Sequence, residues 1–256
     1  MNTNQTRGRV AAFFDLDGTL LPLPSLERRF VGTLRDRNAI PTKNYFRWLA
    51  QAIHLAPFGI SAITHANKTY LSTVPASATW NQLPAFFPAA LDCVARHAAQ
   101  SHFIILVTGT LEPLAKQAAL ALTLRLLVRG ITTSVGVCAT RLEEIEGRWT
   151  GRITGEAIFG RAKACAIHRI AASSAFDLAR SYGYGDATHD RWMLGAVGRP
   201  VAVNPSRELE RIARLRNWPI LLWKESDSQH ASAITNAGAR GSSCTAIPIM
   251  KSETSG

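Results

Sequence analysis

Two aspartates one residue apart, in Asp15-Leu16-Asp17-Gly18-Thr19, directly follow the apolar run Val10 to Phe14. Carboxylates at that spacing on a tight turn can do different work. One can attack a phosphorus atom while the other exchanges a proton with the leaving group. A calcium loop of the EF-hand kind needs glycine at its sixth position and glutamate at its twelfth. Here those positions hold Leu20 and Leu26, which excludes that chemistry. A merely solvated Asp-x-Asp turn stays open on this motif alone.

Three other places carry matching chemistry. Thr108 and Gly109 follow the apolar run Phe103 to Val107. A hydroxyl and backbone N–H groups at a strand-to-helix junction make a phosphate seat; alternatively, Thr108 N-caps a helix beginning near Leu111. Lys163 lies at the start of a helical pattern, Arg161 to Ala172. A cation there works against the helix dipole, which makes sense if it reaches a phosphate and a carboxylate. A solvated surface lysine is the other reading. Asp186 and Asp190 follow Gly185 in Gly-Asp-Ala-Thr-His-Asp. They can share one hard cation, and magnesium prefers oxygen ligands while keeping several waters. Alternatively, an aspartate here N-caps a helix over Arg191 to Ala196. His189, His102 and His168 are taken as incidental, because nothing beside them in sequence orients an imidazole.

The elements that must position these residues read as follows. Val10–Phe14, Phe103–Val107, Gly136–Ala139, Tyr182–Gly185, Val201–Val203 and Pro219–Trp223 are expected strands, with the continuous apolar character of strands buried on both faces. Helical patterns over Glu112–Leu127, Arg161–Ala172 and Arg207–Arg216 lie between them. The alternation predicts an α/β fold, a doubly wound, Rossmann-like parallel sheet. In such a sheet ligands bind outside the carboxyl ends of the strands, where Asp15, Thr108 and Asp186 all fall. Residues 22–95 contain no convincing strand and are rich in aromatics and prolines, which predicts an inserted subdomain of short helices. The expected core is therefore residues 10–21 and 96–225, with a Ser-, Thr-, Ala- and Gly-rich tail over 226–256.

Composition narrows the class. Of 256 residues, 46% are hydrophobic and 18% charged, which suits a packed core and excludes global disorder. The formal net charge of +11 permits nucleic acid, anionic lipid or phosphorylated substrates without choosing among them. Neither a nucleic-acid-binding motif nor a long basic run accompanies that charge, so a basic nucleic-acid-binding protein is the weaker alternative. Cys93, Cys138, Cys165 and Cys244 form no C-x-x-C pair, and buried free thiols in a reducing cytoplasm are expected. Met1 to Arg9 is polar and every apolar run is short, so a cytoplasmic protein without a membrane partner is expected.

Taken in order, D-L-D-G-T, I-L-V-T-G-T, the Lys163 region and G-D-A-T-H-D make the chain resemble the haloacid dehalogenase-like hydrolase superfamily. The resemblance is to the subfamily that includes phosphoserine phosphatases, and it runs from about Val10 to Trp223. It implies a phosphomonoesterase with Mg²⁺ as cofactor and a small phosphorylated metabolite as substrate. Asp15 is then the nucleophile that becomes a phospho-aspartate. Asp17 is the acid and base, and Thr108, Gly109 and Lys163 bind the phosphoryl group. Asp186 is a metal ligand, with Asp190 a second ligand or outer-shell partner and the backbone carbonyl of Asp17 also on the metal. A phosphotransferase would use the same residues. The insert matches the subfamily's helical cap in position. Phosphoserine phosphatases typically carry a glutamate nine residues after the nucleophile; here that position is Pro24, with Glu27 the nearest substitute. This places phosphoserine as substrate in question. Arg28 and Arg29 in the cap could contact an anionic substrate, or form a solvated helix face, which is the preferred reading.

Overall fold

The strands run, in chain order, β1 (Ala11–Phe14), β2 (Phe103–Leu111), β3 (Val135–Thr140), β4 (Leu142–Ile145), β5 (Arg148–Ile153), β6 (Tyr182–Gly185), β7 (Arg199–Val203) and β8 (Ile220–Leu221). The computed structural model describes residues 8–59, 63, 67–78 and 83–224. Six strands form one sheet in the order β3-β2-β1-β6-β7-β8, and each neighbouring pair is parallel. The helices are α1 (Leu26–Asp36), α2 (Thr42–Leu55), α3 (Pro88–Ala99), α4 (Glu112–Val128), α5 (Arg161–Ser174), α6 (Arg191–Leu194) and α7 (Arg207–Leu215).

A parallel sheet must be covered on both faces, and β1 shows how the sequence arranges it. Ala12 and Phe14 face a core shared with α3 and α4. Ala11 and Phe13 face the opposite core, with Ile167 of α5, Met193 of α6 and Leu209 of α7. All four β1 side chains are fully buried. Phe14 also stacks on Tyr184 of β6 at 4.5 Å between ring centroids. Burying each phenylalanine contributes about 1.5–3 kcal/mol. The chain moves outward from β1 through β2 to β3, then returns to the other side of β1 for β6, β7 and β8. The direction of winding thus reverses between β1 and β6, which opens a crevice at their carboxyl ends. Asp15 and Asp186 are the residues immediately after those two strands.

Among the described residues of the insert there is no strand, as expected, but α1, α2 and two 3₁₀ turns, at Ala56–Phe58 and Thr69–Leu71. The Ser25 hydroxyl caps α1 by accepting the Arg28 N–H, and Leu26, Phe30 and Leu34 form its buried stripe at four-residue spacing. The expected core boundary between residues 95 and 96 falls inside α3, whose Ala90, Leu91 and Val94 are buried in the core shared with Phe14.

Strands β4 and β5 were not anticipated. They form an antiparallel hairpin joined by Glu146-Gly147, both at positive φ. Charges at 143, 144, 148 and 152 hide its alternation. The hairpin grips the insert: the Thr73 N–H donates to the Trp149 carbonyl at 2.7 Å, and the Trp149 N–H to the Val74 carbonyl at 2.9 Å. Trp149 packs edge-on against Phe30 at 6.1 Å. Gly151, at φ +82°, lets the two backbones meet, since a Cβ there would stand 2.7 Å from the Thr69 Cα.

Several expectations are corrected. β2 continues through Thr108 to Leu111, so Thr108 is a strand residue and not a helix cap. Leu111 precedes α4, whose first turn is set by Pro113. The helix expected to run to Ala196 stops at Leu194, and Asp190 stands at its N-cap position without a side-chain capping bond. Cys93 is buried, but Cys138 is only partly so and Cys165 is exposed. Cys244 and the expected tail over 226–256 lie outside the described residues. Among the described residues, no helix is long and apolar enough to cross a membrane.

Candidate active site

The turn after β1 is pressed against the end of β6. Gly18 has φ +87°, and a Cβ on it would lie 2.2 Å from Asp186 Oδ2. Only glycine fits that position. The Thr19 hydroxyl completes the contact, donating to Asp186 Oδ1 at 3.1 Å. Gly185 does the same for Asp190, whose own Cβ would be met at 2.6 Å. Asp190 Oδ2 accepts the N–H groups of Asp186 and Ala187, at 3.2 and 3.0 Å. Its other oxygen accepts a bond from Lys163 Nζ at 2.6 Å, and the same Nζ reaches Asp15 Oδ1 at 2.6 Å. Lys163 is 1% exposed, so the solvated-lysine reading is excluded.

The two carboxylates of the first motif face different surroundings. Asp15 joins Asp186 and Asp190 in a group whose ligand oxygens lie within 4.8 Å of one another. The Asp17 side chain is held apart. Its Oδ1 accepts the Leu26 N–H at the start of α1, at 2.7 Å, and its Oδ2 accepts the Thr110 hydroxyl. Thr108 is buried, with its hydroxyl oxygen accepting the Thr110 N–H at 3.2 Å, and both Thr108 and Gly109 line the cavity above Asp15. That cavity has a volume of about 1030 Å³ and reaches from the strand ends into the insert.

Burial and charge shape the protonation of these groups. Burial pushes Asp15 up to about 7 against the pull of Lys163, with Asp190 adding repulsion. Burial, then the charges of Asp15 and Asp190, push Asp186 up to about 8. Asp17 is also raised by burial, which its bonds from Thr110 and Leu26 only partly offset. Burial opposes the charge of Lys163, yet Asp15 and Asp190 more than compensate and raise it. Burial likewise opposes the charge of Asp190, and Lys163 outweighs it, holding the carboxyl below the usual range. Four carboxylates therefore share one lysine, an excess of buried negative charge that a divalent cation would neutralise. The donors are all hard oxygens, and the set fits magnesium.

Six of the seven expected site residues line the cavity, and the seventh, Asp190, lies buried behind them on Lys163. Sequence reasoning missed Thr19 and Thr110, although both stand inside quoted motifs. It also missed the insert's contribution: Lys68 Nζ pairs with Glu27 Oε1 at 2.5 Å, and the Tyr70 hydroxyl donates to the same oxygen. No residue pattern signals that meeting, because 41 positions separate Glu27 from Lys68. His189 faces the cavity with its ring against Phe159, 4.2 Å between centroids.

Comparison with known proteins decides the family. Residues 12–195 match the haloacid dehalogenase-like hydrolases. The chain belongs to that family. The hydrolase is 29% identical over 94% of its length, and 87% of the relative's, to a probable phosphatase of Mycobacterium tuberculosis strain H37Rv. It is similar to the crystal structure of a protein of unknown function from Bordetella pertussis Tohama I, at TM-score 0.59 and 26% identity, covering 84% of this chain and 98% of that one. It shares its fold with a phosphoserine phosphatase in apo form, at TM-score 0.55 and 14% identity, over 88% of this chain and 98% of the other. The chain is thus an enzyme of the haloacid dehalogenase-like hydrolase family, with the α/β core that its strand pattern predicts.

Proposed function

We propose that the hydrolase is a magnesium-dependent phosphomonoesterase that cleaves a small phosphorylated metabolite through a phospho-aspartate on Asp15. The observation that carries this reading is the convergence of Asp15, Asp186 and Asp190 with Lys163 at the end of the β1–β6 crevice. Lys163 holds Asp15 Oδ1, which leaves Oδ2 to attack phosphorus in line with the departing oxygen. Lys163, the Thr108 hydroxyl and the N–H of Gly109 receive the phosphoryl oxygens. Asp17, whose carboxyl burial raises above the usual carboxylate range, gives a proton to the leaving alcohol. It then takes a proton from the water that attacks the acyl-phosphate, which frees phosphate and restores Asp15. Asp15, Asp186 and the Asp17 carbonyl would hold magnesium, with Asp190 behind them, and the ion supplies positive charge between Asp15 and the phosphoryl dianion. The helical insert, residues 22–87 once α3 is counted with the sheet, acts as the cap that selects the alcohol.

The test is turnover of aryl and alkyl phosphates with Mg²⁺ and with EDTA, joined to acid-quench labelling. Phosphate label on Asp15 and loss of turnover in EDTA are expected. Full activity without metal, or label elsewhere, would overturn the proposal. Adding an acceptor alcohol and analysing the products separates hydrolysis from phosphoryl transfer.

A further inference from the structure

The cap side of the cavity has a charge pattern that the reaction does not explain. Glu27 is the cap's acid there, and it is spent internally. Its Oε1 accepts both Lys68 Nζ, at 2.5 Å, and the Tyr70 hydroxyl, and the pair is 15% and 4% exposed at the side chains of Glu27 and Lys68. An incoming ammonium would have to displace a buried lysine to reach it. Two arginines on the same wall are in the opposite condition. Arg28 and Arg35 lie two turns apart on one face of α1, with Val31 between them, and all three line the cavity. Among the described residues neither guanidinium has a carboxylate partner. Arg29, one position on, is different in kind: its guanidinium is bonded to the carbonyls of Pro24, at 2.8 Å, and Pro22, at 2.7 Å. Arg28 and Arg35 are thus exposed cations lining the cavity, with their donors uncommitted among the described residues. Val31, Tyr45 and Trp48 line the same cavity.

Resting on the phosphomonoesterase reading, we infer that the alcohol portion of the substrate carries a second ionised acid group, carboxylate or phosphate. That group meets Arg28 and Arg35, while an apolar or ring-shaped middle lies along Val31, Tyr45 and Trp48. A fixed distal ammonium is disfavoured, because Lys68 already occupies the carboxylate that would receive it. The cavity has room for such a body, being several times the volume of a single phosphate.

The probes are three aryl phosphates alike in size, whose para substituent is a methyl, a carboxymethyl or an aminomethyl group. Their dissociation constants are measured by calorimetry on folded Asp15→Asn protein with Mg²⁺ at 0.1 M salt, so that binding is read without turnover. The carboxymethyl ester is expected to bind about threefold to tenfold tighter than the aminomethyl ester. A phosphomethyl analogue in a second arm distinguishes a phosphate preference from a carboxylate one. Adding Arg28→Ala and Arg35→Ala, both at exposed positions, should erase that ratio. Adding Lys68→Met, which frees Glu27, should shift it towards the aminomethyl ester. Equal binding of the charged esters, or a ratio that survives loss of both arginines, would overturn the inference. The arginine variants decide it even if Lys68→Met fails to fold. A preserved binding preference with no hydrolysis of any ester by the parent enzyme would instead overturn the phosphomonoesterase reading and leave this one standing.

Discussion

Lys163 and Lys68 are both almost fully buried, and both are ion-paired at 2.5–2.6 Å, yet they stand in opposite electrostatic company. Lys163 bonds two carboxylates directly and has Asp17 and Asp186 close enough to feel its charge. The floor of the cavity has more carboxylates than its one lysine can balance, and burial first, with carboxylate repulsion adding to it, makes Asp15 and Asp186 hold protons at unusually high pH. Lys68 meets one carboxylate and balances it. The floor is built to be completed by something positive, whereas the cap pair is already complete. A buried lysine therefore marks a reaction centre in one place and a closed structural pair in the other. The count of opposing carboxylates tells them apart.

Catalysis gives the largest expected differences. Asp15→Asn removes the attacking oxygen and should cut turnover by about 10³-fold or more with every substrate. Asp17→Asn should separate substrates by leaving group. Its amide oxygen can keep the Leu26 N–H and its amide nitrogen can donate to Thr110, so the local fold survives. Alkyl phosphates, which need their alkoxide protonated, should slow by about 10²–10⁴-fold. 4-Nitrophenyl phosphate leaves as a stable anion, so a burst of nitrophenol followed by a slow steady state is expected. Rapid-mixing absorbance checks it. Identical behaviour of the two variants with both leaving groups would erase the division of labour within the first motif.

Stability tests the floor and the cap directly, with opposite signs. Glu27→Gln leaves Lys68 buried without a counter-charge and should cost about 3 kcal/mol, or roughly 6–12 °C in Tm for a domain of this size. Asp186→Asn removes one of several mutually repelling carboxylates. It should raise the Tm of metal-free protein by about 3 °C, while abolishing the rise in Tm that Mg²⁺ gives the parent. Scanning calorimetry with and without Mg²⁺ reads both. A fall in Tm for both variants would mean that the floor's charges are balanced after all.

The floor was legible in the sequence and the cap was not, for physical reasons. Asp15, Thr108 and Asp186 each follow an apolar run, and a parallel sheet brings all such positions to one edge. Gly18 and Gly185 announce close approach. Lys163 was findable as a cation at the wrong end of a helix. By contrast, Thr110 and Glu27 gain their roles from neighbours far along the chain, and α1 and the turn at Thr69–Leu71 have no register that fixes who meets whom. The β4–β5 hairpin was hidden because Glu143, Glu144, Arg148 and Arg152 give its two short strands the composition of a loop, although Trp149 and Gly151 are buried.

A third buried polar group has neither the floor's excess of carboxylates nor the cap's counter-ion, and burial is the largest of the forces acting on it. His97, on α3, has its Nε2 2.8 Å from the Tyr184 hydroxyl and its Nδ1 2.8 Å from Nδ1 of His102. Burial, then repulsion from His102 and Arg96, lower it from 6.5 to about 4. His102 is lowered too, by burial and then by Arg199 and Arg180. Below pH 6.5 the unfolded chain binds a proton at this position that the folded protein refuses until about pH 4. Stability from His97 is thus full above pH 6.5 and is lost progressively as pH falls towards 4. Asp15, Asp17 and Asp186 have the opposite sign, because their raised values make the fold bind protons more readily than the unfolded chain does, whereas Asp190, which is lowered, has the same sign as His97. Tm against pH in the parent sums these slopes, so the informative quantity is the difference between parent and His97→Leu. Between pH 7.5 and 4.5 the parent should lose a few degrees more than the variant, on the order of 2–4 °C. The variant's lower starting Tm drops out of that difference. Parallel curves would show that His97 accepts its proton inside the fold, with Tyr184 or His102 turning to accommodate it. Burial of a hydrogen-bonded but uncompensated imidazole would then be a weaker force in this protein than charge excess or charge pairing.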